Sequence, residues 1–438
     1  MSSKMSVFQD KLQDFFLPLV EKMDNNKHLS ALKSGMVMTV PLTIIGGFFM
    51  LLAQPPVNPN TLQGTNFFFS FLLSWHAWAQ ANIGFLLLPF NLTIGLLSVY
   101  VVIAITYVLA KSYGINELTT AFTALLVFLV TSVKVVNGEF GSAITSGILG
   151  AQGLFYAIIV AFVVVEVTRF LLAKNIKIKL PEQVPPMVAA PFEALIPAVA
   201  LTVGFILLNV VCVDATGDSL ARLVYTILIP LMTAGSSLPS AIIMSILLSL
   251  LWFFGIHGNN VLGAVLTPLT TANLALNAEF YINGTGKAIP LAGGFMTLFG
   301  NWMSYPAMVL VLFLVAKSAH LRSIRKVAVV PDQFNINEPL TFGVPVVMNV
   351  LIALPLMLAN IVTVTIAYLV MNAGLVNAPY IPVPWTTPGI LNLFLSTGDI
   401  RSVMLWIILF VLDIIILLPF IKAYDNQLLA KEKVEANK

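Results

Sequence analysis

An all-α polytopic membrane protein is the fold class this sequence predicts, and three observations predict it. Apolar residues make up 58% of the 438 residues while only 9% are charged, against about 25% charged in a soluble domain. The apolar residues gather in runs of about 20, the length that crosses a bilayer. The basic residues are confined to short clusters between those runs. A surface facing water needs charge, so a chain of this size with so little of it faces another solvent. The mean hydropathy of +0.95 agrees.

Taken in order, residues 1–30 form a polar cytoplasmic or interfacial N-terminal segment, without the short apolar core of a cleaved signal. Within it, Phe8, Leu12, Phe15, Phe16 and Leu19 recur at helical spacing. That pattern suits a helix lying on the membrane surface or a soluble helix packed on a loop, and both readings are open. Candidate spans follow at 31–53, 86–110, 119–136, 149–172 and 188–212, then at 290–316, 340–371 and 401–421. The stretch 213–289 is less regular. Residues 219–234, with Arg222 beside Leu220, Leu223, Ile227 and Leu231, read as an amphipathic interfacial helix. An apolar run at 239–256 precedes a segment rich in Asn, Thr and Gly at 259–287, which reads as irregular backbone.

Loop charge sets the orientation, because cytoplasmic loops retain Lys and Arg. Clusters at 4–33, 111, 169–179, 317–326 and 422–438 hold 18 of the 22 basic residues. Placing all of them in the cytoplasm makes the first five spans alternate correctly and requires an even number of crossings in 213–289. Two crossings there give about ten transmembrane helices with both termini inside.

The basic, proline-rich connector 173–187 divides the chain. Before it, 31–172 reads as a scaffold and dimerisation half. After it, 188–421 reads as the substrate half, because polar interruptions at membrane depth are tolerated only where they are buried in protein or line a cavity. Residues 422–438 form a cytoplasmic tail.

Several chemistries are excluded. The lone Cys212 permits no internal disulfide or CxxC site. No Walker A sequence, HExxH or Cys/His cluster is present, so neither a nucleotide nor a metal is expected, and no other cofactor either. A net charge of +3 is too small to suggest nucleic acid. What remains is polar chemistry inside the second half. In Phe254-Gly255-Ile256-His257-Gly258-Asn259-Asn260 an apolar run ends in a His between glycines, followed by amides that can bond hydroxyls in both senses. An ionisable residue at membrane depth is a functional candidate, although a neighbouring helix could equally satisfy it. In Asn335-Ile336-Asn337-Glu338-Pro339-Leu340-Thr341-Phe342-Gly343, Pro339 suits a first helical position, so Glu338 reads either as a cap or as a functional carboxylate. Trp252 and Trp385 offer flat faces on which a sugar could stack, or interfacial anchors. Asn301, next to Trp302, is a further candidate. Glu166 with Arg169 and Asp399 with Arg401 read as structural pairs.

FFGIHGNN followed some 80 residues later by NINEPLTFG resembles enzyme IIC, the membrane component of the bacterial sugar phosphotransferase system, in its lactose/cellobiose/diacetylchitobiose family. The resemblance extends over nearly the whole chain. It implies a homodimeric permease of the bacterial cell membrane, with re-entrant hairpins in the C-terminal half and membrane lipid around it. Its expected substrate is a β-linked disaccharide, whose 6-hydroxyl is phosphorylated by a separate phosphocysteine-bearing enzyme IIB. It further implies Glu338 as the 6-hydroxyl ligand and base and His257 as a second hydroxyl ligand, catalytic together. Trp252, Gly258, Asn259, Asn301, Asn337 and Trp385 complete the expected sugar site. A proton-coupled sugar symporter and a membrane transferase acting on lipid are the competing functions.

Overall fold

The computed structural model describes residues 26–55, 67–138, 141–181, 183–284 and 286–436; the expected helix at 5–23 lies outside them. Asn26 starts helix α1 (Lys27–Met38) by accepting from the backbone N–H groups of His28 and Leu29. After α2 (Val40–Ala53), α3 (Phe67–Ala81) and α4 (Ile83–Thr93) comes α5 (Leu97–Tyr113), which Gly114 closes at φ +68°. Then come α6 (Glu117–Ser132), a hairpin pairing Val135–Gly138 with Gly141–Ile144, and α7 (Leu154–Ala173). The hairpin is an addition to the all-helical expectation. Helix α8 (Pro186–Thr216) packs on α6 and α7, and α5 packs on α1, α6 and α7.

The second part comprises α9 (Leu220–Gly235), α10 (Leu238–Phe253) and α11 (Gly258–Asn283), then a turn with π-helical bonding at Leu298–Trp302 leading into α12 (Ser304–Val315). Next are the amphipathic α13 (Ala319–Gln333), the six-residue α14 (Glu338–Gly343), α15 (Val350–Asn372), α16 (Gly389–Thr397) and α17 (Arg401–Ala436). Helices α10, α15, α17 and α12 pack successively on one another. Ser304 Oγ lies 2.9 Å from Asn360 Oδ1 and 3.1 Å from Asp413 Oδ2, and Asn360 Nδ2 donates to Ser249 Oγ at 3.1 Å. These polar contacts tie the four helices together where water is absent.

Among the described residues, eight helical stretches are long and apolar enough to cross a membrane. The α9–α10 pair, bent by 65°, is a ninth candidate as a broken span or a re-entrant loop, whereas the 16-residue apolar α6 is shorter than a span. Eight or nine spans thus stand against the ten expected, and two boundaries differ. The 340–371 span starts only at Val350, because residues 338–349 form α14 and an irregular turn. The 259–287 segment is not irregular; most of it is the continuous helix α11. Its amides serve their neighbours: Asn277 accepts from Ile289 N and donates to the carbonyls of Ile289 and Pro379, at 2.8–2.9 Å. Polar residues that look like helix breaks therefore satisfy the broken backbone beside the helix.

On the outside, Val199, Leu207 and Val211 of α8 and Ile408 and Ile415 of α17 are exposed. A helix apolar on its outer face is at home in lipid.

Candidate functional site

Helix α10 delivers Trp252 and then stops, because Gly255 at φ +75° turns the chain. A side chain at Gly255 would meet Val347. His257 caps α11: its Nδ1 accepts from Asn260 N at 3.3 Å, which leaves the proton of a neutral ring on Nε2 as a donor. Its ring sits 4.6 Å from that of Trp252. Trp252 is buried and its indole N–H has no partner. Gly258 is buried against the Leu248 carbonyl, where a Cβ would stand 3.0 Å away, so its smallness serves helix packing. Asn259 follows, partly buried, in the first turn of α11.

The segment that follows the second motif reaches the same turn. Met348 N donates to Phe253 O at 2.9 Å, joining the segment after α14 to the turn before His257. Glu338 opens α14 and is exposed, with no hydrogen-bond or ion-pair partner among the described residues. Asn337 beside it is buried with an unpartnered Oδ1. Asn335, held at φ +63°, donates from Nδ2 to Trp385 O at 3.3 Å, so the loop 382–388 is tied to this motif by its backbone. The Trp385 ring itself is 59% exposed. Asn301 is buried in the π-helical turn, a distortion that recurs at functional sites. Its neighbour Trp302 donates to Asp332 O at 3.0 Å and packs over Gly389.

The structure thus joins the segment after α14 to the turn before His257, ties the loop carrying Trp385 to Asn335, and links Asn301 to the end of α13 through Trp302. It also adds a residue that sequence reasoning misses. Asp332, at the end of α13, is fully buried and neither carboxyl oxygen has a partner. Burial pushes its pKa up to about 8. An amphipathic helix pattern would put such an Asp on the wet face, so the sequence carries no signal for it. Tyr305 lies within electrostatic reach of both Asp332 and Glu338, and Thr341 Oγ1 is 3.1 Å from its hydroxyl. Orphaned buried polar atoms in a native site point to a missing ligand or water. Trp252 Nε1, Asn337 Oδ1 and the Asp332 carboxyl are four such atoms in these segments. Among the described residues no cluster of three His, Cys, Asp or Glu could hold a metal.

Comparison with known proteins bears on this geometry. Residues 33–360 match the family model "Phosphotransferase system, EIIC". The chain is 34% identical to the oligo-beta-mannoside-specific EIIC component of Bacillus subtilis, covering 98% of this chain and 96% of that one. It is 32% identical to the cellobiose-specific EIIC component of Geobacillus stearothermophilus, over 98% and 97%. A lactose-specific EIICB component of Lacticaseibacillus casei is 29% identical, and there the match spans 73% of the longer protein. The crystal structure of ChbC, the IIC component of the N,N'-diacetylchitobiose-specific phosphotransferase system, superposes with a TM-score of 0.84 at 31% identity. That match covers 96% of this chain and 99% of ChbC.

Proposed function

Because the chain belongs to the EIIC family of the phosphotransferase system, and so is a multi-pass sugar permease of a bacterial membrane, we propose that it binds a β-linked disaccharide and presents the sugar's 6-hydroxyl to a separate phosphorylated enzyme IIB. The observation that carries this reading is the bond between the segment after the second motif and the turn of the first, with an unpaired carboxylate at Glu338 and orphaned polar atoms at Trp252 and Asn337 in the two motifs. Those atoms suit a ligand with many hydroxyls, each both donor and acceptor. The relatives specific for oligo-beta-mannoside, cellobiose, lactose and diacetylchitobiose support the substrate class.

In this reading Glu338 accepts the hydrogen bond of the 6-hydroxyl and takes its proton as the oxygen attacks phosphorus. The S–P bond of the IIB phosphocysteine breaks as the O–P bond forms, and the thiolate leaves with IIB. His257 donates from Nε2 to a second sugar oxygen and helps hold the 6-hydroxyl in line, since positioning dominates phosphoryl transfer. The exposure of Glu338 suits a donor that arrives on another protein. Cys212 suits no such role, being buried with its thiol 3.4 Å from Asp218 O. The first half serves as scaffold and homodimer interface.

Reconstituted vesicles test the proposal. With phosphorylated IIB outside the vesicle at the cytoplasmic face of the permease, the disaccharide should appear on that face as its 6-phosphate. Accumulation of unmodified sugar driven by a proton gradient, with no IIB present, would instead establish symport. A binding panel of cellobiose, lactose and diacetylchitobiose on purified protein identifies the sugar.

A further inference from the structure

A cavity of about 300 Å³ lies between α9, α11, α15 and the turn 286–290. That is the lower end of the size range of small-molecule sites. It is separate from the site above. Asn273 on its wall is sixteen residues beyond His257 on the same helix, a distance of about 24 Å at the α-helical rise.

The polar part of the wall is uncharged: the phenols Tyr225 and Tyr368, the amides Asn273 and Asn372, and the hydroxyls Thr233 and Ser236. Lys287, exposed, is the one cation lining it. The inner groups are fixed on one another. Asn273 is 1% exposed and donates from Nδ2 to Ser236 Oγ at 2.8 Å and to Leu291 O at 2.6 Å. The Tyr368 hydroxyl donates to Ser236 O at 3.0 Å. Because Leu291 O can only accept, the orientation of the Asn273 amide is determined, and its Oδ1 is left without a donor.

The chemistry of the occupant follows from this lining of hydroxyls and amides, which can both donate and accept. A carboxylate brings acceptors alone, and an acyl chain brings neither donor nor acceptor; neither uses both capacities of that lining. A hydroxyl does, and the phenol rings provide apolar faces for the C–H side of a sugar ring. We propose that this cavity is a second saccharide site, which holds the disaccharide at the end of α11 remote from His257 before it reaches the phosphorylation site. The proposal rests on the disaccharide reading above. It assigns α9, which also packs on α6, α7 and α8, a place at the sugar's path between the two parts of the protein.

Equilibrium binding of radiolabelled cellobiose, lactose and diacetylchitobiose to the purified full chain tests it. The wild type should show two classes of site. In the double variant His257→Ala/Glu338→Gln the stronger class should weaken by roughly five- to thirtyfold while the weak class keeps its affinity, and adding either Tyr225→Ala or Asn372→Ala should abolish the weak class. Both added substitutions are at partly or fully exposed positions, so the fold tolerates them. Inorganic phosphate should not displace the weak class, because the occupant is neutral. Absence of the weak class from the double variant overturns this inference alone, as does its survival through both added substitutions. Its displacement by inorganic phosphate would mark an anion site and overturn it equally. If none of the sugars binds the wild type, the disaccharide reading fails and this one with it.

Discussion

At the scale of single residues, the proposed function turns on Glu338, which has no partner among the described residues, and on His257. Glu338→Gln keeps the hydrogen-bonding shape and removes the base. It should retain sugar binding while phosphorylation-coupled uptake falls by about 10²–10⁴-fold, the usual contribution of a general base. Normal coupled uptake by this variant would sink the assignment. His257→Ala removes one hydroxyl ligand and should weaken equilibrium binding by roughly five- to thirtyfold, the equivalent of about 1–2 kcal/mol. Asp332 makes a prediction about pH. Its folded-state pKa of about 8 lies above the unfolded value of about 4, so the native state holds the proton more tightly. Stability should therefore fall as pH rises from about 4 to about 8 and level off beyond. Asp332→Asn should flatten that slope in thermal melts across this range, and an unchanged slope would show that Asp332 does not cause it.

At the scale of elements, short irregular pieces between long helices build the site. The turn at Gly255, the π-helical turn at 298–302, α14 and the loop 382–388 are held by single contacts such as Met348 N to Phe253 O and Trp302 Nε1 to Asp332 O. Gly389 is the tightest joint, because a Cβ there would overlap the buried Trp302 ring. That ring is pinned through its indole N–H and cannot swing aside. Gly389→Ala should therefore destabilise the protein by about 1–3 kcal/mol, the usual cost of overpacking. Sugar binding should weaken too, because Trp302 carries Asn301 and the end of α13 with it. A variant with unaltered melting and binding would show that the joint can relax.

At the scale of the whole molecule, charge placement and the bilayer determine the arrangement. Basic residues cost several kcal/mol at the centre of a membrane and are retained in cytoplasmic loops, so the clusters at 4–33, 169–179, 317–326 and 422–438 are expected together on the cytoplasmic side. Cysteines introduced near either end, at Ser3 and at Asn437, should react with an impermeant maleimide only in inside-out vesicles. Labelling of one from the other side would break the even parity on which ten spans depend.

The membrane class was legible in the sequence, and so were the connector at 173–187 and the choice of His257 and Glu338 as candidates for the proposed site. Each depends on local composition: long apolar runs, clustered charge, and ionisable groups between glycines in an apolar setting. The Asn-rich stretch 259–287 misled, because an amide that breaks a helix and one that binds the backbone of another segment look alike in one dimension. Asn277 reaches Pro379 across 102 residues, and no local pattern encodes that. The burial of Asp332, the meeting of Gly255 with Val347 and the cavity beside Asn273 are likewise products of long-range packing. Sequence alone determined which solvent the chain lives in and which side chains are chemically out of place there. The tertiary structure decided which of those side chains meet, because burial and hydrogen-bond satisfaction belong to neighbours in space.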